Sequence, residues 1–232
     1  MRILKQETTL PVRISTADEV ASGSDRTRHG KLLPNTIRCL IVGPSNCGKT
    51  CVLMSLLEDP NGLRFENVYV YSKSLQQPKY QRLEKILKLV DGLQYHPFDD
   101  NDDVVPPNEA RPNSIFVFDD IACEKQMNMQ KYFSMGRHAA VDCFYLCQTY
   151  SRIPKQLIRD NANVLVLFKM DERNLRHVYD DQVNTDMTLN EFKEMCATCW
   201  NNGEYGFLVI VKDSPLLKGR YRRGFDQFIA LR

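Results

Sequence analysis

Long apolar runs are missing from this 232-residue chain: the longest, VLVLF at 164–168 and FLVIV at 207–211, fall far short of the roughly 20 residues of a membrane-crossing helix. No helical membrane span is expected. The opening residues, MRILKQETTLPVRIS, build none of the roughly 7–15-residue apolar stretch of a secretory signal, so export by that route is not expected either. An excess of one charge is also missing. Lys plus Arg number 31 against 29 for Asp plus Glu, a formal charge of +2. Without a global basic field, any nucleic-acid partner must be held by a local patch. Histidine is scarce, at 4 residues. The one close cysteine pair, Cys196 and Cys199 in CATC, has no second pair beside it, and His177 is the nearest histidine; this argues for burial on a helix rather than a zinc site. Eight cysteines in a chain without an export signal read as reduced thiols of an intracellular protein.

What is present is an ordinary globular composition, 43% apolar and 26% charged, which excludes disorder for most of the length. Residues 1–34 are Ser/Thr/Arg-rich with little periodicity and read as an N-terminal arm; residues 35–232 read as one domain with a basic C-terminal tail. Within the domain, apolar runs alternate with helical patterns. TIRCLIV at 36–42, NVYVYS at 67–72, SIFVF at 114–118, VDCFYLC at 141–147 and NVLVLF at 163–168 predict five core strands. TCVLMSLLED and PKYQRLEKILKLV predict helices, the second opened by Pro78. Further helices are expected near 124–135, 172–181 and 188–199, and a strand in EYGFLVIV at 204–211. This alternation predicts an α/β fold with a central, mainly parallel sheet flanked by helices.

The strongest chemical signal is GPSNCGKT: Gly43, Pro44, Ser45, Asn46, Cys47, Gly48, Lys49 and Thr50 match G-x-x-x-x-G-K-[ST] between a predicted strand and a predicted helix. In such a P-loop the glycines let the backbone curl, so that successive N–H groups face the β-phosphate at the positive end of the following helix. Lys49 is then expected to reach the β- and γ-phosphates of ATP, and Thr50 to ligate Mg2+. A P-loop also needs a carboxylate on a neighbouring strand, and IFVFDD at 115–120 offers one in the Walker B pattern. Asp119 is expected to hold the magnesium shell and Asp120 to polarise the attacking water. The strand VDCFYLC leads into Gln148, whose amide could bond the γ-phosphate or the lytic water; a surface glutamine is the plain alternative. Cys47 lies inside the loop, where backbone N–H groups are expected to favour the thiolate; the plain reading is that only its backbone contacts phosphate, and the sharper alternative is that it is an oxidisable brake.

The series GPSNCGKT, IFVFDD, GRH at 136–138, LCQTY, then RIPKQLIRDNANVLVLFK resembles, in order and spacing, the FtsK-HerA superfamily of ring-forming DNA-pumping ATPases. Within it the chain looks most like the viral genome-packaging ATPases of poxviruses and other large DNA viruses and their Maverick/Polinton relatives. The likeness runs over roughly 36–170, with GEYGFLVIV and YRRGFD also similar to that branch. The resemblance implies an ASCE-type, RecA-like ATPase core with a five-stranded sheet, an extra strand between the Walker strands and a sensor glutamine at Gln148. It also implies a homo-oligomeric ring, a pentamer or hexamer, in which an arginine of one subunit completes its neighbour's site. Asp120 stands where the wider superfamily has Glu, as in the viral branch.

Two arginines are candidates for that trans-acting role, Arg137 in GRH and Arg159 in LIRDN, with Arg137 favoured; a purely structural Arg159 would pair with Asp160, Asp171 or Glu172. For double-stranded DNA, the candidates are Arg152 and Lys155 after Gln148, and Arg220, Arg222 and Arg223 in a tail interleaved with Tyr221 and Phe225. The expected function is an ATP-driven motor that moves double-stranded DNA into a viral capsid, docked on a capsid or portal-type vertex protein. The chain would be intracellular and virion-associated, not secreted. A nucleotide-switched assembly or scaffold protein is the alternative from another class. A small-molecule kinase is disfavoured, since no arginine-rich lid is evident, and a GTPase because no N-K-x-D-type guanine reader appears.

Overall fold

The computed structural model describes residues 28–119, 121 and 127–231. Among these residues nine strands form one sheet: β1 (Arg38–Val42), β2 (Asn67–Ser72), β3 (Gln94–Phe98), β4 (Ser114–Asp119), β5 (Val141–Cys147), β6 (Val164–Phe168), β7 (Phe207–Val211), β8 (Tyr221–Arg223) and β9 (Gln227–Phe228). Their order across it is β3-β2-β4-β5-β1-β6-β7-β8-β9. The first six are parallel and the last three antiparallel. The five core strands expected from the sequence lie side by side in the middle, and β5 separates β1 from β4 as the extra strand between the two motif-bearing ones.

Parallel strands covered by helices on both faces read as continuous apolar runs. Accordingly β2, β4 and β5 are buried along their whole length. Alternate residues supply two separate cores. Leu40, Val42, Phe116 and Phe118 face one side, where α3 (Met127–Met135) and α5 (Leu189–Trp200) contribute Met129, Tyr132, Phe192 and Cys196. Cys39, Ile41, Ile115 and Val117 face the other, covered by Leu53 and Leu57 of α1 (Lys49–Glu58) and by Tyr80, Leu83 and Leu87 of α2 (Pro78–Lys88). Between β6 and α5 lies a short α4 (Glu172–Val178), capped by the Asp171 carboxylate, which accepts from the Asn174 N–H.

Three strands escape sequence reading. Strand β3, QYHPF, is a half-exposed edge carrying Pro97, which an edge strand tolerates because its missing N–H would face outward. Strands β8 and β9 lie in what reads as a basic tail. Residues 28–34, grouped with the arm on composition, pack onto the sheet. His29 is fully buried, its Nε2 donating to Asp142 Oδ2 at 2.9 Å while its Nδ1 accepts from the Arg64 N–H at 3.1 Å. Asp142 also accepts from the Ile37 N–H at 2.7 Å and pairs with Arg28 at 3.1 Å. One carboxylate on β5 thus ties this segment to the sheet. Residues 1–27 lie outside the described residues.

Candidate nucleotide-binding site

Strand β1 ends at Val42, and the Gly43 N–H donates to the Cys147 carbonyl at the end of β5 at 3.1 Å. The chain then curls through Asn46 at φ 62° and Gly48 at φ 104° before entering α1 at Lys49. Gly48 is required for its backbone, which is left-handed; Gly43 is required for its space. A Cβ on Gly43 would stand 2.6 Å from Phe168 Cβ and 2.7 Å from Cys47 Sγ. The N-cap of α1 is Gly48, which has no side chain to satisfy the first turn, so backbone groups present the amino end of this helix to an anion. The Lys49 ammonium donates to the Gly43 and Pro44 carbonyls, each at 2.7 Å, and is held against the loop.

Parallel register brings the other groups to the same edge. Val42 lies opposite Cys147, and Asp119 lies opposite both Leu146 and Ser72. The segments leaving β1, β2, β4 and β5 therefore converge at the carboxyl end of the sheet, where ligands bind in open α/β folds. There they line a cleft of ≈900 Å³ into which Lys49, Thr50, Lys79, Asp119 and Gln148 all face. Its far wall is apolar and aromatic, with Leu33, Leu56, Tyr205, Phe207 and Phe225. The Phe207 and Phe225 rings meet edge to face at 5.9 Å.

Asp119 is nearly buried and well ordered by its neighbours. The Tyr80 hydroxyl donates to its Oδ2. Burial, with the Asp119 charge beside it, pushes the Tyr80 phenol up, so it stays a donor. The Lys79 ammonium lies 3.3 Å from the same oxygen and 2.9 Å from Thr50 Oγ1. A hydroxyl and a carboxylate sharing one cation form a hard oxygen donor pair, the kind that suits Mg2+. Neither Lys79 nor Tyr80 is legible in the sequence: PKY is read there only as a helix start. Tyr205 and Phe207 are likewise missed, and Phe225, expected on a DNA-facing tail, lines this cleft instead, because they come from segments 37 or more positions past Phe168 and no local spacing marks their place here.

The remaining expected residues divide. Asp120 lies outside the described residues. Arg137 is exposed in the turn before β5, at the opposite end of that strand from Gln148, with Nε 3.4 Å from His138 Nε2. Arg159 is enclosed, pairing with Asp181 and stacking over Tyr150 at 5.1 Å. Its partner is not Asp160, Asp171 or Glu172, since the turn after α4 brings Asp181 to it. Arg152 is exposed beside a second cleft with Arg173 and His177; Lys155 is exposed but bound to Asp181 at 2.7 Å. Arg220 pairs with Asp186 at 2.9 Å, and Arg223 is half-exposed.

Two expectations need correction. Arg222 is 3% exposed, donates to the Gly219 and Leu32 carbonyls and stacks on Phe228 at 4.7 Å. Both faces of β8 are covered, Tyr221 on one and Arg222 on the other, and a buried guanidinium cannot meet DNA phosphates. Cys47 does not carry a favoured thiolate. Half-burial pushes its thiol up, outweighing the Lys49 charge and the loop amides that pull it down. Cys196 and Cys199 are both fully buried, and burial pushes Cys199 up to about 11. Among the described residues no cluster of three metal-ligating side chains occurs.

Solved structures with this fold exist. The genome packaging NTPase B204 from Sulfolobus turreted icosahedral virus 2, in complex with sulfate, superposes with a TM-score of 0.58 at 12% identity, covering 86% of this chain and 100% of that one. Its complex with ATP-gammaS gives 0.53 at 11% identity over 85% and 100%. B204 from Sulfolobus turreted icosahedral virus, described as a DNA-packaging ATPase, gives 0.52 at 11% over 80% and 95%. No curated protein sequence matches the chain. The family model of the poxvirus A32 protein matches residues 25–227, which takes in the phosphate loop, Asp119, Gln148 and the aromatic wall. With that match spanning nearly the whole chain, the protein belongs to the poxvirus A32 protein family.

Proposed function

We propose that this chain is the ATPase motor of a viral genome-packaging machine, coupling ATP hydrolysis to movement of double-stranded DNA into a capsid. The observation that carries the reading is the convergence of Lys49, Thr50, Asp119 and Gln148 on one cleft behind an uncapped helix terminus. Family membership and the fold shared with B204 support it.

The roles follow from position. Backbone N–H groups of residues 45–50 and the Lys49 ammonium bind the β- and γ-phosphates. Thr50 and Asp119 would hold Mg2+, which when bound neutralises phosphate charge. Tyr80 is a positioning residue that fixes the Asp119 carboxylate. Asp120 takes the proton of the attacking water, and Gln148 orients that water against the γ-phosphate. The base lies against Tyr205, Phe207 and Phe225, whose rings supply stacking area. Arg137, exposed where Arg159 is enclosed, reaches into the next subunit's cleft in a homo-oligomeric ring of five or six copies. Arg152, with Arg223 and Lys155, meets the DNA backbone, and the ring docks on a capsid or portal-type vertex protein inside the infected cell.

The test is steady-state ATP turnover with and without duplex DNA. Wild type should be stimulated by DNA, and Lys49→Ala should lose turnover by about 10³-fold or more, as removal of an essential phosphate charge does. Turnover indifferent to DNA would favour the nucleotide-switched scaffold instead.

A further inference from the structure

Two lysines, not one, address the cleft. Lys49 comes from the phosphate loop; Lys79 comes from the first turn of α2 on the opposite side, directly after the Pro78 that starts that helix. Helix α2 follows β2, and β2 lies against β4 with Ser72 opposite Asp119, so the amino end of α2 is carried to the Asp119 side of the cleft. Lys79 Nζ is 2.9 Å from Thr50 Oγ1 and 3.3 Å from Asp119 Oδ2. It thus stands between the helix that holds the β-phosphate and the strand end that faces the point of attack.

We propose that Lys79 is a further catalytic residue, whose ammonium binds the terminal phosphate of ATP from the side opposite Lys49. The proposal rests on reading the cleft as an ATP site. Three features of the geometry argue for it. A cation 2.9 Å from Thr50 Oγ1 is already where charge between the β- and γ-phosphate oxygens is met in P-loop enzymes. Asp119 would repel a γ-phosphate brought beside it, and a neighbouring ammonium offsets that repulsion. The Lys79 side chain is 36% exposed, so its four-carbon stem retains the freedom to turn from Thr50 to a phosphate oxygen, whereas Asp119 remains held by Tyr80. Lys79 would then favour ATP over ADP, which lacks the group it binds. It would also supply, from within the subunit, part of the charge that spreads over the γ-phosphoryl group during transfer.

The experiment is equilibrium binding of a non-hydrolysable ATP analogue and of ADP to the full chain, in EDTA, for wild type, Lys79→Met and Lys49→Ala. A charge-assisted hydrogen bond of this kind corresponds to roughly 10- to 100-fold in affinity. Lys79→Met should therefore weaken the analogue by that factor and leave ADP within about threefold, with an unchanged unfolding midpoint. Lys79→Arg, which keeps the charge but not the compact head, should recover part of the preference. If Lys79→Met weakens both nucleotides equally, or neither, Lys79 is only a counter-charge for Asp119 and the proposal is overturned. If Lys49→Ala binds both nucleotides as wild type does, the phosphate-loop reading itself fails, an outcome distinct from a failure at Lys79 alone. Should Lys79→Met not fold, Lys79→Gln is measured in its place against the same two outcomes.

Discussion

Replacing Gly43 by alanine isolates the steric requirement of the phosphate loop from its backbone requirement. Gly43 does not have a left-handed backbone, so alanine meets no conformational penalty there. What it meets is two atoms. The new methyl would lie 2.6 Å from Phe168 Cβ and 2.7 Å from Cys47 Sγ, and reaching ordinary contact at 3.4 Å requires a shift of about 0.8 Å. Phe168 cannot supply it: it closes β6, whose preceding residue Leu167 is paired with Val42 of β1, and it is itself paired with Phe207. The loop must move instead, carrying the amides of residues 45–49 away from where the phosphates sit. Overpacking of this size costs about 1–3 kcal/mol, which corresponds to about a 5- to 150-fold loss of ATP affinity if the loop bears the strain. Nucleotide titration and urea unfolding should separate the two: affinity falls by that factor while the unfolding free energy changes by less than about 1 kcal/mol. Adding Cys47→Ala should restore only part of the affinity, since the Phe168 contact persists. Gly48→Ala makes the contrast, with no neighbour nearer than 3.6 Å but a left-handed φ of 104°, and its cost of about 1–2 kcal/mol is conformational. Wild-type affinity in Gly43→Ala, or its full return on adding Cys47→Ala alone, would refute the argument.

Asp142→Ala would leave the Ile37 N–H and the buried His29 Nε2–H without their acceptor, so a loss of about 3–5 kcal/mol in denaturant unfolding is expected, with ATP affinity unchanged in whatever fraction remains folded. Arg137→Ala should bind ATP normally but turn over slowly, and should regain activity in mixed rings with Lys49→Ala subunits; absence of rescue in rings shown to mix would shift the trans role to another arginine. The carboxylate of Glu191 is held below the ordinary range by its hydrogen bonds to the Thr188 hydroxyl and N–H at the start of α5. A depressed carboxylate contributes stability above its unfolded value and loses it as pH falls through the folded one, so Glu191→Gln should lower stability at neutral pH and flatten the acid limb, the two curves converging as pH falls below about 4.5. Equal acid limbs in the two proteins would remove the capping-box contribution.

Much of this protein is decided by local sequence. Apolar runs bounded by turn residues are enough to locate the five central strands, because a strand buried on both faces admits little else. The phosphate loop is equally local: Gly43, Gly48, Lys49 and Thr50 act through backbone geometry and one helix terminus, all within eight consecutive positions. The pairing of residues far apart along the chain is a different matter. That Lys79 and Tyr80 both reach Asp119 depends on β2 lying beside β4 in register, and nothing in PKY signals it. Whether an arginine is a surface group or a buried tie was likewise settled by packing. Arg222 is buried because Leu32, Gly219 and Phe228 close over its face of β8, while Arg159 is enclosed between Asp181 from the turn after α4 and Tyr150 from the segment after β5. Cys47 shows the same division in its chemistry, since its place in the loop is written in the sequence but its raised thiol follows from partial burial in the folded loop. Sequence specifies what each group can do over a few residues; desolvation and long-range partners, which set charge and reach, exist only once the sheet has assembled.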